Sequence, residues 1–277
     1  MTRTRRPFAT RGGPLLLFWC AAPAAAQLRP LEPTSLRALV PTVSITAELG
    51  ASRLDGQRAS LAGTEGALTE VGNFALTWRT GRVALEVAGT AQRLFRERTS
   101  FAAADPQVLP SADGRRHDMG DLRIGTTLRL TPDDARLTGL LRFGTRLPTT
   151  DNTTGLDRDA TDFYLTLGTI TRRGALVLGA EAGIGINGTR EPRFEQDDLL
   201  LYAVRAEFTR GMFTPGVTVL GQMHGGEHPP IRAAEDLGEV RAGVRVGGRR
   251  WVRLEAVRGF TPFSPSGGIR LSAGVER

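Results

Sequence analysis

The sequence predicts an all-β chain: a transmembrane antiparallel up-and-down β-barrel of about twelve strands, following a cleaved signal peptide. Three observations predict it. Apolar and polar residues alternate with period two over most of the chain. Short and long connections alternate along it. An export signal stands at its start.

The export signal occupies residues 1–26. Arg3, Arg5, Arg6 and Arg11 form a positive segment, Leu15 to Trp19 and the following alanines a short apolar one, and Ala24, Ala25 and Ala26 a small-residue cleavage site. Cleavage is expected between Ala26 and Gln27. Cys20, the chain's one cysteine, is discarded with the leader, so no disulfide or thiol chemistry is expected. The formal charge of +7 falls to +3 once the four leader arginines go, too little for the concentrated basic face that nucleic acid needs. No lysine occurs; every basic residue apart from histidine is arginine.

Residues 27–41 read as a periplasmic lead-in that could plug the barrel's periplasmic mouth, and residues 42–277 as the barrel. The first strand alternates apolar Val43, Ile45, Ala47 and Leu49 with polar neighbours. Phe74, Leu76 and Trp78 follow, then a tight turn at Thr80 and Gly81, then Val83, Leu85 and Val87. Next come strands over 121–130 and 137–147, a pair around Phe163 to Leu167 and Leu176 to Ile186, and Leu200 to Phe208. Val217 and Val219, Val240 to Val246, Val252 to Ala256 and Ile269 to Val275 complete the twelve.

Short connections fall near residues 80–81, 131–135, 172–174, 210–216 and 247–250. Longer ones fall near 52–66, 96–116, 148–160, 188–197, 224–236 and 259–267. Short periplasmic turns, long external loops and an even strand count are the pattern of an outer-membrane barrel, and this one puts both ends in the periplasm. No run of about 20 apolar residues follows residue 30, so no helical span is expected. Mean hydropathy is only −0.17, as a barrel needs apolar residues only at alternate positions.

The polar faces carry Glu86, Asp121, Arg123, Arg129, Arg142, Glu181, Arg205, Glu207, Glu239, Arg241, Arg245, Arg253, Glu255 and Arg270. An arginine facing lipid at mid-bilayer costs about 2–4 kcal/mol, so these residues are expected to line the lumen in Arg–Glu networks. Twelve strands lie between barrels filled by side chains and barrels with open water, which predicts a narrow lumen. Ten aromatic residues, Trp78, Phe208 and Phe213 among them, are candidates for thin interfacial girdles. The partners expected are outer-membrane lipid, the barrel assembly machinery and a small-molecule substrate, with no nucleic acid. The chain ends Val275, Glu276, Arg277 and not in the aromatic residue common in barrels inserted by that machinery.

Three strings resemble chemical motifs. His224, Glu227 and His228 match a zinc-peptidase string, but two glycines inside it and Pro229 and Pro230 after it forbid the helix that would converge them on a metal. Gly183, Gly185 and Gly188 match a dinucleotide fingerprint, but no helix opens after them to hold a pyrophosphate. Asp151, Asp157, Asp159 and Asp162 gather around one loop and read as solvated carboxylates, with calcium as the other reading. No Ser–His arrangement appears. No catalytic residue, metal or cofactor is therefore expected.

Gly120, Asp121 and Leu122 open one strand, and Leu147, Pro148 and Thr149 close a later one ahead of a Gly- and Asp-containing loop. This resembles the outer-membrane transporter-like family of the putative MetA pathway of phenol degradation, with Thr150 where that family has glycine. The resemblance implies an outer-membrane barrel passing small, often hydrophobic molecules by diffusion. The other reading is a closed structural or interaction barrel that acts through its external loops.

Overall fold

The computed structural model describes residues 28–35, 43–149, 152–157, 159–188, 196–225 and 235–277. The signal segment, its cleavage site at Ala26 and Gln27, and residues 36–41 of the lead-in lie outside them.

All the described regular structure is β except a short 3-10 turn, Asn152–Thr154. The strands are β1 Ser44–Ala59, β2 Thr64–Thr80, β3 Val83–Ser100, β4 Arg115–Asp118, β5 Leu122–Arg129, β6 Leu137–Leu147 and β7 Asp162–Arg173. β8 Leu176–Gly188, β9 Gln196–Phe208, β10 Phe213–His224, β11 Leu237–Gly247, β12 Arg250–Gly259 and β13 Gly267–Glu276 complete them. Each pairs antiparallel with its chain neighbour. β4 and β5 both pair with β3, Arg93 opposite Asp118 and Ala88 opposite Arg123, so they are two pieces of one wall strand. The barrel thus has twelve staves. It closes where β1 meets β13, Thr46 opposite Glu276 and Asp55 opposite Gly267. Ile45 and Arg277 exchange both backbone hydrogen bonds at that seam, at 2.8 and 2.9 Å. Closure leaves no open edge, the condition for a sheet to stand in hydrocarbon.

Alternation then sorts side chains between two surroundings. Leu76, Leu85, Phe143, Leu165, Leu167, Val204, Leu254 and Leu271 stay exposed on the outside. Arg142, Thr166, Glu239 and Arg241 are buried on the inside. An apolar exterior around a polar interior belongs in lipid.

The first three strands run longer than expected. Residues 52–59 and 64–66, read from sequence as part of a long loop, extend β1 and β2 and leave a connection of only 60–63. β3 continues to Ser100, and β4 forms inside a stretch read as loop. β10 begins at Phe213, within the expected 210–216 turn. Spanning needs only about 9–11 residues, so β1 to β3 project well past the apolar belt at the loop end.

That projecting wall encloses a second, apolar core. Leu61 and Ala62 from the β1–β2 connection, Val108 from the β3–β4 loop and Leu156 from the β6–β7 loop fold inward. They meet Leu54, Leu68, Phe95 and Val257 from the wall. Gly155 has φ +69°, and a Cβ there would press on Val108 and Ala62 at 2.9 and 3.0 Å; the loop turns in because this residue is glycine. The lumen is therefore capped at its loop end. Phe95 is 1% exposed at the centre of the cap. Phe95→Ala is expected to cost about 3–5 kcal/mol in urea unfolding from lipid, while leaving the closed-barrel mobility on unheated gels intact.

Candidate functional site: a charged lumen holding the N-terminal segment

Leu28–Ser35 joins no strand. It lies inside the barrel, lengthwise. Leu28 is part of the apolar cap. Arg29 reaches Glu239 at 2.9 Å and Glu70 at 3.2 Å. Glu32 meets Arg241 at 2.6 Å and Arg270 at 3.0 Å, and its carbonyl accepts from Arg142 at 2.7 Å. The Thr34 amide donates to Glu181 at 2.9 Å. The sequence pointed to a plug at the periplasmic mouth. The described part of it, Leu28–Ser35, runs along the lumen to the loop-end cap.

The wall residues expected in the lumen take the following places. Arg142 pairs with Glu86 at 3.1 Å and Glu181 at 3.6 Å, and lies over the Tyr164 ring at 5.2 Å. Asp121 meets Arg146 at 3.3 Å and Arg93 at 3.4 Å. Glu239 holds Arg241 at 2.8 Å as well as Arg29. Arg253 faces Glu207 at 3.7 Å, and Arg270 faces Glu255 at 3.8 Å. Arg245 donates to the Thr214 hydroxyl at 3.1 Å. Arg123 and Arg205 line the remaining cavity. Arg129 also turns inward, but at the short-turn rim, donating to the carbonyls of Pro132 and Asp133. The cavity left around the segment is about 230 Å³.

Several lumen members carry no period-two signature. Glu70 and Arg93 stand opposite one another on β2 and β3. They lie beyond Gly72, an extra residue of β2 relative to β1 with φ +70°. Below this bulge Asn73, Ala75 and Thr77 line the cavity; above it Leu68 and Glu70 are the buried ones. The bulge shifts the period by one and hides the upper half of the strand from a period-two search. Arg29 and Glu32 were missed because their partners are far away in sequence, 210 residues for Arg29 to Glu239.

Under the cap, Arg93 pairs with Asp157 of the β6–β7 loop at 3.0 Å, and Arg146 pairs with Asp162 at 2.6 Å. Two of the four loop aspartates are thus tied to lumen arginines. Asp151 lies outside the described residues. Glu227 and His228 do too, whereas His224 ends β10 in extended backbone, its amide donating to Asp236 at 2.7 Å. Gly183, Gly185 and Gly188 lie along β8. Among the described residues no three His, Cys, Asp or Glu side chains converge as metal ligands.

Two carboxyls outside the strands are shifted in opposite senses. Withdrawal from water would raise Glu32, but Arg241, Arg270 and Arg29 together hold it well below the usual carboxylate range. Burial and then repulsion from Asp121 push Asp157 well above that range, against the pull of Arg93. A depressed carboxyl stabilises the fold above its unfolded pKa and loses that stabilisation only as pH falls through the depressed value. A raised one stabilises below its unfolded pKa and loses that as pH rises through the raised value.

No family model matches the chain, and no curated protein matches it. Solved structures do. The chain is similar to a porin refined at 1.8 Å, at 10% identity and TM-score 0.38, covering 85% of this chain and 99% of that one. It is similar to the translocator domain of autotransporter NalP from Neisseria meningitidis, at 10% identity and TM-score 0.46, covering 87% and 90%. It is similar to the CymD monoaromatic hydrocarbon channel, at 10% identity and TM-score 0.37, covering 84% and 86%.

Measured by urea unfolding, the stability gap between wild type and Glu32→Gln is expected to stay constant from about pH 8 down to about pH 5, and to close only in stronger acid. Asp157→Asn, whose amide resembles the protonated acid, is expected to abolish a loss of stability that wild type shows as pH rises; an unchanged pH profile would count against the raised carboxyl.

Proposed function

We propose that this chain is an outer-membrane conduit for small molecules, closed at rest by its own N-terminal segment. The observation that carries this reading is the mode of attachment of Leu28–Ser35. It occupies a polar lumen yet belongs to no ladder, and side-chain clasps hold it. Removing it would vacate space along the lumen without breaking a strand. The wall it would expose mixes both signs, with Arg123, Arg205 and Arg245 beside Glu86, Glu207 and Glu255. Such a wall discriminates weakly by charge, with a mild bias towards anions from its arginines. The likeness of Gly120 to Leu122 and Leu147 to Thr149 to the phenol-degradation transporter-like family fits small, often hydrophobic cargo.

A specific observation favours a second reading. The cap of Leu61, Val108 and Leu156 shuts the loop end with apolar contacts, as a closed interaction barrel would be shut.

Planar-bilayer recordings separate the two. The full-length barrel is expected to be nearly silent, and a variant lacking residues 27–35 to show brief, discrete conductance steps with weak anion preference, each step an opening of the loop-end cap that the segment no longer backs. A deletion variant that shows the heat-modifiable mobility of a folded barrel and stays silent would defeat the conduit and leave the interaction barrel.

A further inference from the structure

The two ends of the barrel differ in charge. At the loop end, ions on the long strands are in part paired, the exposed Arg98 with Asp55 at 2.8 Å and the half-buried Arg58 with Glu65 at 3.0 Å. At the short-turn end, exposed arginines stand in nearly every turn. Arg82 follows Gly81 between β2 and β3, Arg172 and Arg173 end β7, Arg210 lies in the β9–β10 turn, and Arg249 and Arg250 lead into β12. The acids of this rim are few. Asp133 and Asp134 share the β5–β6 turn with Arg136, and Asp133 is engaged by Arg129 at 3.3 Å. Glu276 is engaged by Arg79 at 3.1 Å.

Position matters as much as charge. Exposed apolar side chains lie within two to four residues of these arginines: Trp78 at 46% exposed, Phe208 at 48%, Met212 at 63%, Phe213 at 57% and Val252 at 50%. The turns are short, so the guanidinium groups cannot extend far from the edge of the apolar belt. They sit where a belt immersed in lipid meets the plane of phosphates, and an arginine fork matches a phosphate's oxygens. A soluble polyanion or a distant cell-wall polymer would not need the arginines to be interleaved with the belt in this way.

We propose that the short-turn end is a binding ring for anionic phospholipid headgroups in the leaflet it faces. The ring selects lipids such as phosphatidylglycerol over zwitterionic phosphatidylcholine, and so fixes the depth and the direction of the barrel. This rests on the membrane-spanning reading above, though not on conduction.

The test uses the full chain folded into nanodiscs of equal phosphatidylglycerol and phosphatidylcholine. It is then extracted into mild detergent, and the retained lipids are quantified by mass spectrometry. Wild type is expected to retain phosphatidylglycerol preferentially. The preference should fall about fivefold for each arginine removed in the series ending at R172Q/R173Q/R249Q/R250Q, and should weaken at about 1 M salt, where screening acts within roughly 3 Å. R53Q/R96Q/R258Q, which removes exposed arginines from the loop end, is expected to keep the wild-type preference. Heat-modifiable mobility verifies that every variant is folded. Equal retention in wild type and the quadruple variant would overturn the proposal. So would loss in the loop-end variant, or capture of soluble polyglutamate by wild type in phosphatidylcholine discs without any phosphatidylglycerol preference. Failure of wild type to enter any bilayer would instead strike the membrane-spanning reading itself, and this proposal with it.

Discussion

A sheet standing in hydrocarbon must satisfy each of its backbone groups internally, because an unpaired amide or carbonyl there costs several kcal/mol. In this chain the requirement is met at the seam of β1 and β13, where register runs without a break from Thr46 opposite Glu276 to Asp55 opposite Gly267. The other structural features follow from that closure. Once the ladder is closed, alternate side chains have only two destinations, and a one-residue slip would exchange Leu271 for Arg270 on the lipid face. The ionisable residues of the strands are thereby committed to one narrow interior.

An interior of that kind must pair its charges, since removing one partner of a buried pair costs about 3–5 kcal/mol while the intact pair adds little. Four wall groups that already have partners in the wall take a second one from the segment: Glu239 and Glu70 share one cation, and Arg241 and Arg270 share one anion, supplied as Arg29 and Glu32. The segment therefore serves as a counterion array as well as an obstruction. Its departure would be disfavoured if the lumen stayed dry. If water followed it in, each vacated carboxylate and guanidinium would be solvated, and the balance would approach that of exposed pairs, worth about 0–1 kcal/mol each. Hydration of the lumen, more than the strength of any one clasp, decides whether the segment can leave.

The architecture was largely legible because a barrel writes its alternation into every strand. From β5 to β13 the apolar positions read from sequence are the outward ones, and Arg123, Arg142, Glu181, Arg241 and Glu255 appear on the opposite parity. Legibility failed where a physical feature breaks the period. Gly72 shifts the frame, so Glu70 and Arg93 were not recognised as lumen residues. Loop residues Leu61, Val108 and Leu156 follow no period, and only folding brings them into one cap. The N-terminal segment posed the hardest case. Its clasps join residues from 41 to 210 positions apart, and nothing in a window of a few residues records such a pairing.

The two ends of the lumen also set what an opening motion must do. At the loop end, Leu28 is buried with Phe95, Leu68 and Leu156, so the tip of the segment is held by apolar contacts that water does not replace. Towards the short turns the segment is held by ions and hydrogen bonds that water does replace. A segment withdrawing towards the short-turn end would thus loosen first at Thr34 and Glu32 and last at Leu28. The cap would lose one apolar side chain, at about 1.5–3 kcal/mol for a fully buried leucine, and the cap's loops would remain in place. Withdrawal of the segment alone therefore opens a vestibule from the short-turn side, and a through-path requires the loops carrying Leu61, Val108 and Leu156 to move as a second, separate event.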